Sequence, residues 1–187
     1  MEHFYQHIQG WHNAEDVYSR AVENYPSGSH FVEVGSWRGR SAAHMAVLIA
    51  NSGKQIKFDC VDTWRGTLNE ELHQNDPSVV NDTIYDEFLA NMKPVEGYYT
   101  AIRMPSVEAA KLYADASLDF VYIDADHEYE GILADIKAWL PKVKPNGGVI
   151  AGDDYGHAQG SEGVQRAVRE IFGDDFMTNG LGWGKNL

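Results

Sequence analysis

Phe31-Val32-Glu33-Val34-Gly35-Ser36-Trp37-Arg38-Gly39-Arg40-Ser41 starts as a short apolar run, breaks at a glycine and leads into a long apolar-periodic segment. We read it as a strand over Phe31 to Val34, a glycine turn, and a helix from Ser41 to Asn51 closed near Gly53. Gly35 and Gly39 permit a tight turn, which leaves backbone N–H groups and Ser41 at a helix N-terminus able to hold an anionic group. The two glycines stand four apart and the G-x-G pair is missing, so the turn is not the dinucleotide pattern and a nicotinamide dehydrogenase is disfavoured.

The same alternation continues on both sides. Upstream, Asn13 reads as the cap of a helix from Ala14 to Asn24, stopped by Pro26-Ser27-Gly28. Downstream, strands are expected at Ile56 to Val61, Tyr98 to Ile102, Leu118 to Ile123 and Val149 to Ala151. Helices are expected at Ser106 to Tyr113, Tyr129 to Leu140 and Glu162 to Phe172. Repeated strand–helix alternation predicts an α/β fold: a doubly wound, mostly parallel sheet with helices on both faces, and a ligand crevice at the carboxyl ends of the strands. The last residues, Phe176 to Thr178 and Gly182 to Gly184, allow at most a short C-terminal hairpin. An edge left exposed there would favour a homodimer.

Composition narrows the function. The chain has 187 residues, 15 Lys+Arg against 28 Asp+Glu and a formal charge of −13, with 43% hydrophobic residues. That suits one folded domain over residues 1–187 and argues against nucleic acid as a partner, because a phosphate backbone is met by Lys and Arg. The longest apolar run, Ala42 to Ala50, falls far short of a membrane span. A start of Met-Glu-His-Phe-Tyr-Gln-His lacks the features of a signal peptide, and the single Cys60 cannot form an internal disulfide; both predict a cytoplasmic protein. The segment 63–97 is an acidic insertion. It carries Glu70, Glu71, Asp76, Asp82, Asp86, Glu87 and Glu96, with Ile84, Phe88, Leu89 and Met92 at helical spacing, and reads as a candidate lid or substrate wall or, equally, as a solvated excursion.

The informative pattern is where the acids fall. Glu33, Asp62, Asp124, Asp153 and Asp154 all lie at or just past the ends of expected strands, so a parallel sheet would gather them along one edge. Clustered carboxylates repel unless a cation or a hydrogen-bonding ligand compensates them.

Taken in order, Glu-x-Gly-x-x-x-Gly-x-Ser, Val61-Asp62-Thr63-Trp64, Ile123-Asp124-Ala125-Asp126-His127, Lys144-Pro145-Asn146-Gly147-Gly148 and Ala151-Gly152-Asp153-Asp154-Tyr155 resemble a class I S-adenosylmethionine-dependent methyltransferase. The chain is most similar to the metal-dependent small-molecule O-methyltransferases of the catechol and macrolide-sugar kind. The resemblance implies a Rossmann-like domain that methylates a hydroxyl of a small-molecule acceptor, with S-adenosylmethionine and Mg²⁺ or another divalent cation as cofactors. By position it implies that Gly35, Gly39 and Ser41 line the methionine end, with Glu33 supporting the turn. Asp62 would bind the ribose, Thr63, Trp64 and Ser106 would lie by the adenine, and Asp124 would border the cofactor. Asp124, Asp153 and Asp154 match metal-ligand positions, and His127, with Asp124, falls at the catalytic position. His127 stands where the catechol enzymes have lysine and Asp154 where they have asparagine; the macrolide type agrees better at both. Two other readings keep the fold: a methyltransferase that uses His127 without metal, and a non-catalytic module that binds the cofactor.

Overall fold

The computed structural model describes residues 1–67, 71–157 and 161–187. Apolar side chains alternate along its strands with the period of two that pleating imposes. Phe31, Phe120 and Tyr122 point to one face of the sheet, whereas Val32, Val34, Val121 and Ile123 point to the other. Each face is therefore a separate hydrophobic layer that needs its own helices.

The first layer is covered by α1 (Glu15–Asn24), α2 (Arg40–Ser52) and α5 (Ile84–Met92), and the second by α6 (Ser106–Ala110), α7 (Tyr129–Trp139) and α8 (Glu162–Phe172). Between the layers lie β1 (His30–Val34), β2 (Lys57–Asp62), β3 (Thr100–Arg103), β4 (Phe120–Ile123) and β5 (Val149–Gly152), all parallel. The hairpin β6 (Met177–Asn179) and β7 (Gly182–Asn186) completes seven strands in the order β3-β2-β1-β4-β5-β7-β6, with β7 antiparallel to both neighbours. The order reverses between β1 and β4, which opens a crevice at their carboxyl ends. Register places Val34 opposite both Val61 and Ile123, and Ile123 opposite Gly152, so the residues that follow these strands share one edge.

The hairpin is larger than expected, because β7 extends to Asn186 along the whole of β5. Other expected boundaries move inward. The helix from Ser106 ends at Ala110, and Tyr113 turns in so that its hydroxyl donates to Asp59 Oδ2 at 2.8 Å. Strand β3 starts at Thr100 instead of Tyr98, and β4 at Phe120 instead of Leu118, which bridges to Val143.

Asn13 is not the cap of α1. The helix opens after Ala14 without a side-chain cap, with Glu15 and Asp16 in its first turn facing the positive end of the helix dipole.

The acidic insertion is docked to the domain and is not a solvated excursion. It holds α3 (Glu71–Gln74), α4 (Pro77–Val80) and α5, and Ile84, Phe88 and Met92 are fully buried beneath it. Asp76 caps α4 by accepting from the Ser78 N–H and also pairs with Arg38, whose guanidinium reaches Glu87 Oε2 at 2.6 Å. Arg38 is itself buried, which makes this pairing less screened than a surface one. Glu70, read as part of the acidic run, lies outside the described residues. No helix among the described residues is long and apolar enough to cross a membrane.

Candidate functional site

At the end of β1 the chain turns on Gly35, whose φ is +93°, and a Cβ there would lie 1.9 Å from the carbonyl oxygen of Asp124. Only hydrogen fits, because the ends of β1 and β4 touch backbone to backbone. At Gly39, also at positive φ, an added Cβ would lie 3.0–3.2 Å from the side chains of Phe88 and Met92. Its smallness therefore seats α5, and Gly39 lines neither of the cavities described below. Trp37 lies between the two glycines at φ +47°, a conformation that is strained for a side-chain-bearing residue.

Asp62 locks this turn to the next one. Its carboxylate accepts from the Trp37 N–H at 2.8 Å and the Trp64 N–H at 2.7 Å. Burial pushes its pKa up, and these backbone donors pull it back. Trp64 lines neither cavity described below: it is fully buried between Tyr85 and Phe88, and its indole N–H donates to the Trp37 carbonyl. Thr63 does border the crevice.

The crevice holds two joined cavities that share Gly35, Trp37, His73, Asp124 and Ala125. The larger, about 440 Å³, extends past Asp62 and Thr63 to Ser106 and Asp135. The smaller, about 290 Å³, extends past Ser41 and Asn13 to His127, Asp153, Asp154 and His157. His73 of the insertion stacks on Trp37 with ring centres 4.3 Å apart, so the insertion forms one side of both cavities.

Carboxylates and imidazoles meet in the smaller cavity. His127 Nε2 lies 2.8 Å from Asp154 Oδ2 and 4.0 Å from Asp124 Oδ1, while His157 Nε2 lies 2.8 Å from the other Asp154 oxygen. Asp154 is held at φ +62°, which turns its carboxylate between the two rings. Asp153 accepts from the Asp154 N–H at 2.9 Å and from the Asn13 amide at 3.1 Å. Asp124 is held well above the usual carboxylate range, first by burial and then by the charges of Asp153 and Asp154.

Residues 32–155 match the profile of a family described as Methyltransferase domain. The chain belongs to that family. Its seven-stranded sheet with an antiparallel final hairpin is the Rossmann-like fold of class I S-adenosylmethionine-dependent methyltransferases. Among solved structures it is similar to the O-methyltransferase NovP, at 18% identity and TM-score 0.69, covering 92% of this chain and 78% of that one. It is also similar to CalS11, a TDP-rhamnose 3′-O-methyltransferase of calicheamicin biosynthesis, at 16% identity and TM-score 0.60, covering 92% of this chain and 76% of that one. At these identities the likeness is one of fold. A curated relative, the uncharacterized protein y4gI of Sinorhizobium fredii, is 26% identical over 165 residues, covering 83% of this chain. The chain spans only 17% of that relative's length.

In this methyltransferase domain the donor atoms of Asp124, His127 and Asp154 all lie within 4.8 Å of one another. Two carboxylates and an imidazole with mutually repelling acids suit a divalent cation, so the residues fit one. The family resemblance implied the set Asp124, Asp153 and Asp154. The fold brings Asp124 and Asp154 together with His127, and Asp153 stands beside them with one oxygen on a backbone N–H and the other on Asn13. Asn13 and His73 escaped the sequence reading, since neither belongs to a strand-end pattern.

Glu33 lies on the opposite face of β1 from the crevice, not among the converging acids. Its carboxylate accepts from Tyr18 at 2.9 Å, from Ser36 at 3.0 Å and from the Ser41 hydroxyl, tying α1 and α2 to the glycine turn. Burial raises its pKa to about 7, and those three hydrogen bonds pull the other way. Folding therefore takes up a proton between the unfolded value and about 7. Glu33 should lower stability as pH climbs through that window, by roughly 3 kcal/mol in all. Urea unfolding of wild type and Glu33→Gln at pH 5 and pH 7.5 should give a flatter pH slope for the variant; parallel slopes would contradict this.

Proposed function

We propose that this methyltransferase domain moves the methyl group of S-adenosylmethionine to a hydroxyl oxygen of a small molecule, with His127 as general base and a divalent cation, Mg²⁺ by its chemistry, held by Asp124 and Asp154 with Asp153 beside them. When bound, the cofactor supplies an electrophilic methyl on a sulfonium, and the ion supplies Lewis-acid polarisation of the acceptor hydroxyl. The observation that carries the reading is the position of His127, at a carboxylate cluster in the smaller cavity that includes Asp124, a residue shared with the larger one.

The chain's own groups would act as follows. The larger cavity takes the nucleoside, with Asp62 toward the ribose hydroxyls and Thr63 and Ser106 along the base. The turn at Gly35 lets the backbone approach the methionine end, near Ser41. Acid along the shared edge favours the sulfonium charge. His127 would accept the proton of the acceptor hydroxyl at Nδ1, while its Nε2–H, 2.8 Å from Asp154 Oδ2, donates to that carboxylate, which orients the ring and stabilises the imidazolium. Trp37 and His73 wall the junction and exclude water from the sulfonium. The −13 charge supports a small-molecule acceptor over a polyanion, and buried Cys60 suits the cytoplasm. A second copy would pair through the edge strand β6.

Direct contact between His127 and Asp154 also supports a second reading, in which this pair acts as base without metal. Titration calorimetry separates the two. S-adenosylhomocysteine should bind, and Mg²⁺ should bind wild type but weaken at least about tenfold with Asp154→Ala, while cofactor affinity stays within about twofold. Activity that survives exhaustive chelation would favour the metal-free reading. Failure of the nucleoside to bind would remove both.

A further inference from the structure

Residues 1–14 run along α2 as a strap, and α2 holds them with side chains spaced to share one helical face. Arg40 Nη1 donates to the carbonyls of Ile8 and Gly10 at 3.2 and 2.9 Å, and the Asn51 amide donates to the Met1 carbonyl at 2.9 Å. Between them on that face, His44 Nδ1 lies 2.8 Å from His12 Nε2. The neighbours of His12 reach the other way. Trp11 and Asn13 line the smaller cavity, where the Asn13 amide donates to Asp153. No residue of the strap borders the larger cavity.

Two imidazoles that share one hydrogen need at least one neutral ring. Here the surroundings ask for two. His12 Nδ1 is buried without a partner, so a charged His12 would carry an N–H that has no acceptor. His44 is only 5% exposed. The groups facing the pair are His3 and Tyr5 of the strap, Tyr18 of α1 and Arg40 of α2, with no carboxylate partner among the described residues. Burial, the positive neighbours and the second ring lower His12 from 6.5 to about 3, and burial and His3 lower His44 from 6.5 to about 4. We infer that residues 1–14 are an acid-released strap: mild acid protonates the His12–His44 pair, frees the strap from α2 and withdraws Trp11 and Asn13 from the smaller cavity. A released strap returns both rings to water, where they titrate near 6.5. Attachment is therefore complete above that value and weakens as pH falls. At pH 5, one ring held neutral shifts the release equilibrium by about 30-fold, and the pair shifts it further. Glu33, behind Tyr18, titrates with the opposite sign, so acid strengthens the layer beneath the strap while loosening the strap itself.

The test is amide hydrogen exchange of the full chain at pH 7.5 and pH 5, corrected for the intrinsic rates. The strap amides of His7 and Ile8, which bond within the strap, report its release, and the amides of β4 report opening of the whole domain. In wild type the strap should lose at least about 30-fold in protection between the two pH values, with β4 changing by less than about threefold. The double substitution His12→Gln and His44→Asn puts amide groups that do not titrate near the two ring nitrogens, and should bring the strap's change within about threefold. A strap equally protected at both pH values in wild type overturns the inference whether or not the variant folds. Equal losses in the strap and in β4 overturn it too, since acid would then open the whole domain. A variant that keeps the full wild-type response shows that other groups control the strap.

Discussion

Replacing His127 by alanine should cut methyl transfer by about 10²–10⁴-fold at neutral pH, with the affinity for S-adenosylhomocysteine within about twofold of wild type. The imidazole touches Asp154 and faces Asp124 in the smaller cavity, and it does not border the larger one, so on the proposed mechanism its loss should remove proton acceptance and leave the larger cavity intact. The pH profile carries the sharper signature. Without a base, the reaction draws on acceptor that has ionised unaided, so the variant's rate should climb about tenfold for each pH unit below the acceptor's own pKa. Wild type should flatten once the imidazole is neutral, and the deficit should therefore be greatest at low pH. A variant with wild-type turnover across the range would remove His127 from the chemistry. Equal losses of turnover and nucleoside affinity would show instead that the ring supports the fold of the crevice.

Gly35→Ala should be the most damaging single methyl in the domain, lowering stability by at least about 3 kcal/mol and abolishing cofactor binding in whatever folded fraction remains. The added Cβ would lie 1.9 Å from Asp124 O and 2.4 Å from its carbonyl carbon, and both belong to backbone that cannot rotate away. To admit it, β1 and β4 must separate at the point where their ends, paired Val34 to Ile123, form the floor shared by both cavities. Gly53→Ala is the matched control. Gly53 also has positive φ, +67°, but no atom lies within 4 Å of its Cβ position, so only the backbone preference is lost, about 1 kcal/mol. Chemical denaturation of both variants measures the contrast. Similar midpoints for the two would mean that close approach at Gly35 is unimportant.

These two residues show how far local reading reaches. The strand–glycine–helix pattern around Gly35 was legible because tight turns and pleated strands leave marks within a few residues. So was the placement of Asp62, Asp124, Asp153 and Asp154 at strand ends, since a parallel sheet aligns those ends whatever the packing. Side-chain direction was less legible. Glu33 shares the strand-end position but points to the α1–α2 layer, where Tyr18 and Ser41 bind it. Trp64 follows Asp62 immediately, yet turns inward at φ +52° into the core. Asn13 has the residue type and position of a helix cap, but its amide is taken by Asp153, 140 residues away.

The sequence by itself determined the layered α/β architecture, the glycine turn and the edge on which the acids gather, because strand period, turn chemistry and parallel topology act locally or by simple order. Tertiary structure alone decided which acids face the cavity, that His127 lies against Asp154, and that His73 of the insertion stacks on Trp37. Each of those contacts joins segments whose separation in the chain carries no periodic signal. They exist only once two hydrophobic layers have closed on the sheet and set the direction of every side chain at its edge.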